Sequence, residues 1–168
     1  MMVYTIDITI DHPLDATIPP TLLEALARAA LAHQQAPDGI VSLVITDDDT
    51  VQDLNREYRG VDQPTDVLSF GLGGLAKQAG GPEEEISFIV PDGLPLEIGE
   101  VIISYPYAAR TAAASGRPPR DEVALLTVHG VLHLLGHDHL DDDEGKSMRT
   151  AEAEILAGFG IERFEPSD

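Results

Sequence analysis

The sequence predicts a mixed α/β fold in a single domain, a small mixed β-sheet packed with helices. Three observations carry that expectation. The chain has 168 residues, enough for one buried core and short for two. Its first half holds two strand-type patterns, a period-two alternation at residues 3–10 and a β-branched run at residues 40–45. Its second half is dominated by helical patterns, with no internal repeat and no separate linker, so residues 1–168 are expected to form one unit.

Each element has its own warrant. Tyr4, Ile6, Ile8 and Ile10 alternate with Val3, Thr5, Asp7 and Thr9, as in a half-buried strand. After Pro13, Pro19 and Pro20, Thr21 is a candidate N-cap for a helix in which Leu22, Ala25, Leu26, Ala29 and Ala30 recur to about Gln35. Gly39 precedes the second strand, and residues 47–49, all Asp, suit the N-terminus of a helix carrying Val51, Leu54, Asn55 and Tyr58. Residues 66–70 read as a short strand. Residues 71–98, rich in Gly and Pro with an acidic patch at 83–85, read as a loop insertion whose apolar stretch 86–90 can add a strand. Another buried strand is expected at 100–104, an Ala-rich helix at 105–115 ended near Gly116, and a helix at about 121–135 with almost no polar face. A last helix starts in the acids at 141–144 and turns Met148, Ala151, Ile155 and Phe159 inward.

Composition narrows the function classes. With 30 Asp and Glu against 10 Lys and Arg the net charge is −20, which argues against a generic polyanion-binding surface and requires any nucleic-acid site to be locally positive. No cysteine is present, so a disulfide framework, a thiolate nucleophile and a cysteine-based metal site are excluded, and a metal must be held by His and carboxylate. The first residues lack a basic segment followed by an apolar one, and no apolar run approaches the roughly 18 residues needed to span a bilayer. A cytoplasmic protein without membrane contact is expected.

The chemistry concentrates at residues 129–139, HGVLHLLGHDH. His129 and His133 are four apart, on one helical face a turn from each other, the spacing at which two imidazoles reach one metal at about 2.0–2.1 Å. Gly136 suits a left-handed helix end that turns the chain back, and His139 can then supply a third ligand. A single His in an apolar helix is ordinarily a hydrogen-bonded core residue, but three at ligand spacing around a glycine turn point to a metal. The spacing is that of three-histidine zinc proteases, except that Gly130 stands where their general-base Glu follows the first His. A closed structural site would need a fourth protein ligand, for which His137 and Asp138 are the candidates. Otherwise His137 is a candidate substrate contact or a plain surface residue, and Asp138 a candidate to orient a ligand His.

This segment meets every fixed position of H-G-x-L-H-L-x-G-x-D-H, and so resembles the YbeY family of rRNA maturation factors. A second family-like block runs from Leu54-Asn55 through Tyr58-Arg59, Asp62 and Pro64-Thr65-Asp66 to Val67-Leu68-Ser69-Phe70, and a weaker third is Gly99-Glu100-Val101-Ile102-Ile103-Ser104. The chain departs from the family pattern at Glu100, where Asp is usual, at Gly71, where Pro is usual, and in the length of the 71–98 segment. These touch none of the three histidines. The resemblance implies a metal-dependent, single-strand-specific endoribonuclease with one zinc ion per chain, acting in 16S rRNA 3′-end maturation and ribosome quality control. It further implies contact with the small ribosomal subunit, a small-subunit ribosomal protein and the GTPase Era.

Three neutral imidazoles leave the full divalent charge in the site, which favours an anionic phosphodiester. Arg59, carried over as the family's functional arginine, is the candidate to hold the phosphate bidentately; its bland alternative is a surface ion pair. Thr65, Asp66 and Ser69 are expected to shape turn and strand. Arg110, Arg117 and Arg120 lie in an acid-free stretch with Tyr105 and Tyr107, a candidate RNA-contact zone whose alternative is a solvated helix with core tyrosines. The expected protein is a hydrolase with a zincin-like three-histidine site, His129, His133 and His139, at a helix end. Its general base is unassigned, and attack by metal hydroxide or by the RNA 2′-hydroxyl both stay open. The rivals are a metzincin-like metallopeptidase and a non-catalytic assembly factor whose zinc staples the helix end.

Overall fold

The structure, a computed structural model, describes residues 3–71, 96–136 and 142–163, with the backbone alone at 142 and 144. In chain order its elements are β1 (Tyr4–Ile10), α1 (Pro20–His33), β2 (Gly39–Thr46), α2 (Asp48–Arg59), β3 (Val67–Gly71), β4 (Leu96–Ser104), α3 (Tyr105–Ala114), α4 (Pro119–Leu134) and α5 (Asp142–Ala157). The strands form one mixed sheet in the order β1-β2-β4-β3. β1, β2 and β4 run parallel, and β3, last in that order among the described residues, pairs antiparallel to β4 with Leu68 opposite Ile102 and Ser69 opposite Val101.

Strand alternation assigns each helix a face. Val41, Leu43 and Ile45 of β2 and Val101 and Ile103 of β4 share the main core with Leu23, Leu26 and Leu31 of α1 and Val128, Val131 and Leu132 of α4. The opposite face carries a smaller cluster, in which Val51 and Leu54 of α2 pack on Val44, Leu68, Phe70 and Ile102. α4 is therefore buried between the sheet and its helical neighbours, which explains its nearly continuous apolar sequence. Asp47 caps α2 by accepting the Thr50 N–H at 2.9 Å, and Gly60 ends that helix in the left-handed conformation with φ of 71°.

Several expected boundaries move. Thr21 does not cap α1: the helix starts at Pro20, and the cap position is Pro19 with no side-chain hydrogen bond. A first-turn proline has the required φ and no N–H to satisfy, so a side-chain acceptor is dispensable there. The same device starts α4 at Pro119 instead of Asp121. Gly71 belongs to β3 and residues 96–98 to β4, so both rims of the expected insertion are strand; the apolar stretch 86–90 lies outside the described residues. α5 ends at Ala157, before Phe159, which still packs on the core from the following turn.

Candidate metal centre and active site

His129 and His133 occupy the last two turns of α4, and their side chains meet: the two Nε2 atoms are 3.0 Å apart and the rings lie edge to face at 4.5 Å. Two nitrogens bound tetrahedrally to one zinc at about 2.0–2.1 Å would be about 3.3 Å apart, so this pair fits a shared divalent cation with little adjustment. The His129 ring is 23 % exposed, open to solvent on one side and anchored on the other. Its anchor is Glu152 of α5, whose Oε1 accepts from His129 Nδ1 at 2.8 Å. The other oxygen of that carboxylate, Oε2, accepts from Arg163 Nε at 2.7 Å. The Glu152 side chain is only 1 % exposed. Burial opposes its charge, but the hydrogen bonds from His129 and Arg163 outweigh burial and hold the carboxyl below the ordinary range.

Gly130 faces the sheet. A Cβ there would stand 2.5 Å from Val101 Cγ1 and 3.2 Å from Ser69 Oγ, and the Ser69 hydroxyl donates to the Gly130 carbonyl at 3.2 Å. The position that carries the general base in a zinc protease is thus filled by a close helix-to-strand contact with no room for a Glu. This weighs against the metallopeptidase alternative. Gly136 ends the helix with φ of 97°, as the sequence predicts. His137, Asp138 and His139 lie outside the described residues, so the structure describes two of the three expected ligands.

Arg59 is exposed on the last turn of α2, across the sheet from α4, and engages no carboxylate among the described residues. The two faces are linked through β3. The Tyr58 ring meets Phe70 of β3 edge to face at 5.3 Å, and the next residue back along β3 is Ser69, which holds Gly130. Asn55 donates to Gln63 O at 2.9 Å and so fastens the turn between α2 and β3. Asp66 accepts the Val67 N–H at 2.7 Å, a turn and strand role as expected.

The arginine stretch is acid-free only along the chain. Arg110 pairs with Asp48 at 2.8 Å, Arg117 with the buried Glu122 at 3.1 Å, and Arg120 with Asp121 at 3.4 Å. Arg117 is 11 % exposed, held inside the fold beside its partner. Tyr105 packs against the main core and stacks near His12 at 5.5 Å, while Tyr107 lies under the Arg110 guanidinium at 5.3 Å.

The family description Endoribonuclease YbeY matches residues 8–160, spanning both histidines, Arg59 and Ser69. The chain belongs to the endoribonuclease YbeY family. It is 43% identical to the Endoribonuclease YbeY of Chloroflexus aurantiacus over 164 residues, covering 96% of this chain and 99% of that protein. It is 42% identical to that of Paramagnetospirillum magneticum over 168 residues, covering 96% of each. The solution structure of TM1509 from Thermotoga maritima shares the fold, with a TM-score of 0.57 at 20% identity over 93% of this chain and 92% of that one.

Within this YbeY-family chain, sequence reasoning missed Glu152 and Arg163. A signal for Glu152 was available: it sits four residues after Met148 and three before Ile155, on the apolar stripe of α5 where an acid is out of place without a partner. Arg163 gives no comparable signal, because its position depends on the turn after α5.

Proposed function

We propose that this chain is a metal-dependent, single-strand-specific endoribonuclease of ribosomal RNA maturation, with one zinc ion held by His129, His133 and His139 and the scissile phosphate held by Arg59. The observation that carries the proposal is the convergence of the His129 and His133 Nε2 atoms at 3.0 Å within the motif of a family whose curated relatives are named endoribonucleases. A zinc ion held there supplies Lewis acidity toward water or a phosphoryl oxygen. The remaining work falls to the chain. Neutral imidazoles keep the site cationic toward a phosphodiester, and Arg59, uncommitted to a carboxylate among the described residues, binds the phosphate and offsets charge gained in the transition state.

The proposed RNA is single-stranded, the form whose unpaired bases and backbone side chains can reach directly. The 3′ end of 16S rRNA is the proposed target, on the small ribosomal subunit in the cytoplasm, with a small-subunit ribosomal protein and the GTPase Era as proposed partners. A net charge of −20 gives weak affinity for free RNA and leaves targeting to such partners. Among the described residues no helix is long and apolar enough to cross a membrane. The test is cleavage of a single-stranded and a structured oligoribonucleotide by zinc-loaded wild type beside Arg59→Ala. Preferential cleavage of the single strand, lost in the variant, supports the proposal. Hydrolysis of a quenched peptide library without RNA cleavage overturns it in favour of a peptidase, and no activity of either kind in zinc-loaded protein favours the stapled assembly factor.

A further inference from the structure

We infer that Glu152, braced by Arg163, is a positioning residue that presents His129 to the metal and ties the segment after α5 to the metal centre, an inference that rests on the zinc reading above. Glu152 is buried and its Oε2 accepts from the Arg163 guanidinium at 2.7 Å, so the carboxylate stands paired with a cation and meets its neighbours as a hydrogen-bond acceptor. The His129 Nδ1 atom at 2.8 Å must therefore carry the proton, and a neutral imidazole has only one. The lone pair is then fixed on Nε2, the atom that meets His133. Removing the carboxylate removes this acceptor at Nδ1, and with it the hydrogen bond that favours one tautomer and one ring rotation.

A purely structural role explains Glu152 poorly. On the inner face of α5, between Met148 and Ile155, an apolar side chain of similar volume would cost less than a buried ion pair. Arg163 neutralises the carboxylate from the C-terminal side. Gly160 turns the chain with φ of 73°, Ile161 docks at 4 % exposure with its N–H on the Leu156 carbonyl at 3.1 Å, and Arg163 is thereby returned to Glu152. The arrangement links Arg163 through Glu152 and His129 to His133, so groups 34 positions apart in sequence act on one ligand nitrogen.

Zinc affinity of the full chain, measured by competition with a chromophoric chelator, tests this for wild type, Glu152→Gln, Arg163→Ala and Arg163→Lys. The expected losses are about 10- to 100-fold for Glu152→Gln and a smaller loss for Arg163→Ala, partly restored by lysine. In parallel, imidazole nitrogen NMR of the metal-free chain should show His129 protonated at Nδ1 in wild type and a tautomer mixture in Glu152→Gln. Folded variants that bind zinc within about twofold of wild type, with the tautomer unchanged, would overturn the inference while leaving the zinc site standing. If Glu152→Gln does not fold, Arg163→Ala decides by the same two readouts. If wild type itself fails to bind zinc, the metal reading falls, and the NMR tautomer alone judges whether Glu152 positions His129.

Discussion

Replacing Gly130 by alanine should destabilise the protein and weaken the proposed metal site together, although Ala is ordinarily the better helix residue. In an unhindered helix the change would stabilise by about 1 kcal/mol. At Gly130 the new methyl would overlap Val101 Cγ1 at 2.5 Å, and Val101 is a fully buried β-branched residue on a central strand with little freedom to rotate away. Overpacking of that kind costs about 1–3 kcal/mol, and the depth of the overlap puts it near the upper end. The net loss is then about 2 kcal/mol, a fall in Tm of roughly 4–8 °C for a chain of this size. Relief requires α4 to lift from the sheet, which carries His129 and His133 with it and loosens zinc binding. Gly145 is the matched control: on α5 its added methyl would meet, among the described residues, the end of the long Arg149 side chain at 3.2 Å and no backbone, so Gly145→Ala should raise Tm by a few degrees. Calorimetry and chelator competition on the two variants provide the assay. A Gly130→Ala protein as stable as Gly145→Ala, with wild-type zinc affinity, would refute the close-packing argument.

Other consequences can be measured independently. Arg59→Ala should leave Tm within about 1 °C of wild type, since the side chain is exposed and engages no carboxylate among the described residues, while lowering kcat for RNA cleavage by roughly 10²–10³-fold; a large fall in Tm would mark it as structural. Arg117→Ala strands a buried carboxylate and should cost about 3 kcal/mol in denaturant unfolding, whereas Arg120→Ala, removing a surface pair, should cost less than about 1; equal losses would contradict this. Burial already pushes the Glu122 carboxyl up, and Arg117 opposes that, so without Arg117 the folded value rises further. A carboxyl raised by folding loses stability as pH climbs through its folded pKa, and the Arg117→Ala deficit should therefore grow from the ordinary carboxylate range toward neutrality. Asp47 behaves oppositely: the Thr50 N–H holds its carboxyl below the usual range, so its capping contribution of about 1 kcal/mol is present above the unfolded pKa and fades as acid titrates the folded group. Stability of Asp47→Ala against wild type from neutral pH into acid should converge at the acid end; a constant gap would argue against the cap.

What could be read from the sequence was governed by local physics. The period-two pattern of β1, the aspartate cap of α2, the apolar run of α4 and the glycine stop at Gly136 are short-range features, and the structure has each of them. Helix starts at Pro20 and Pro119 were misplaced because a first-turn proline replaces the side-chain cap by which a helix start is recognised. His129 and His133 were legible because their partner is one turn away. Glu152 and Arg163 were not, since their contact to His129 arises from the packing of α5 on α4 and the turn at Gly160. The arginine stretch shows the converse: Arg110 is separated from acids in sequence, and its pairing with Asp48 arises only through the fold. The net charge of −20 is compatible with RNA chemistry when positive potential is confined to the proposed metal and Arg59.

The most direct measurement of the central claim is a zinc titration of chelator-stripped protein during cleavage of a single-stranded oligoribonucleotide, with His133→Ala alongside. The account predicts that wild-type cleavage appears with zinc and saturates at one equivalent per chain, and that His133→Ala stays folded and inactive at the same zinc level. Full-rate cleavage by the stripped protein, or by His133→Ala, would contradict it.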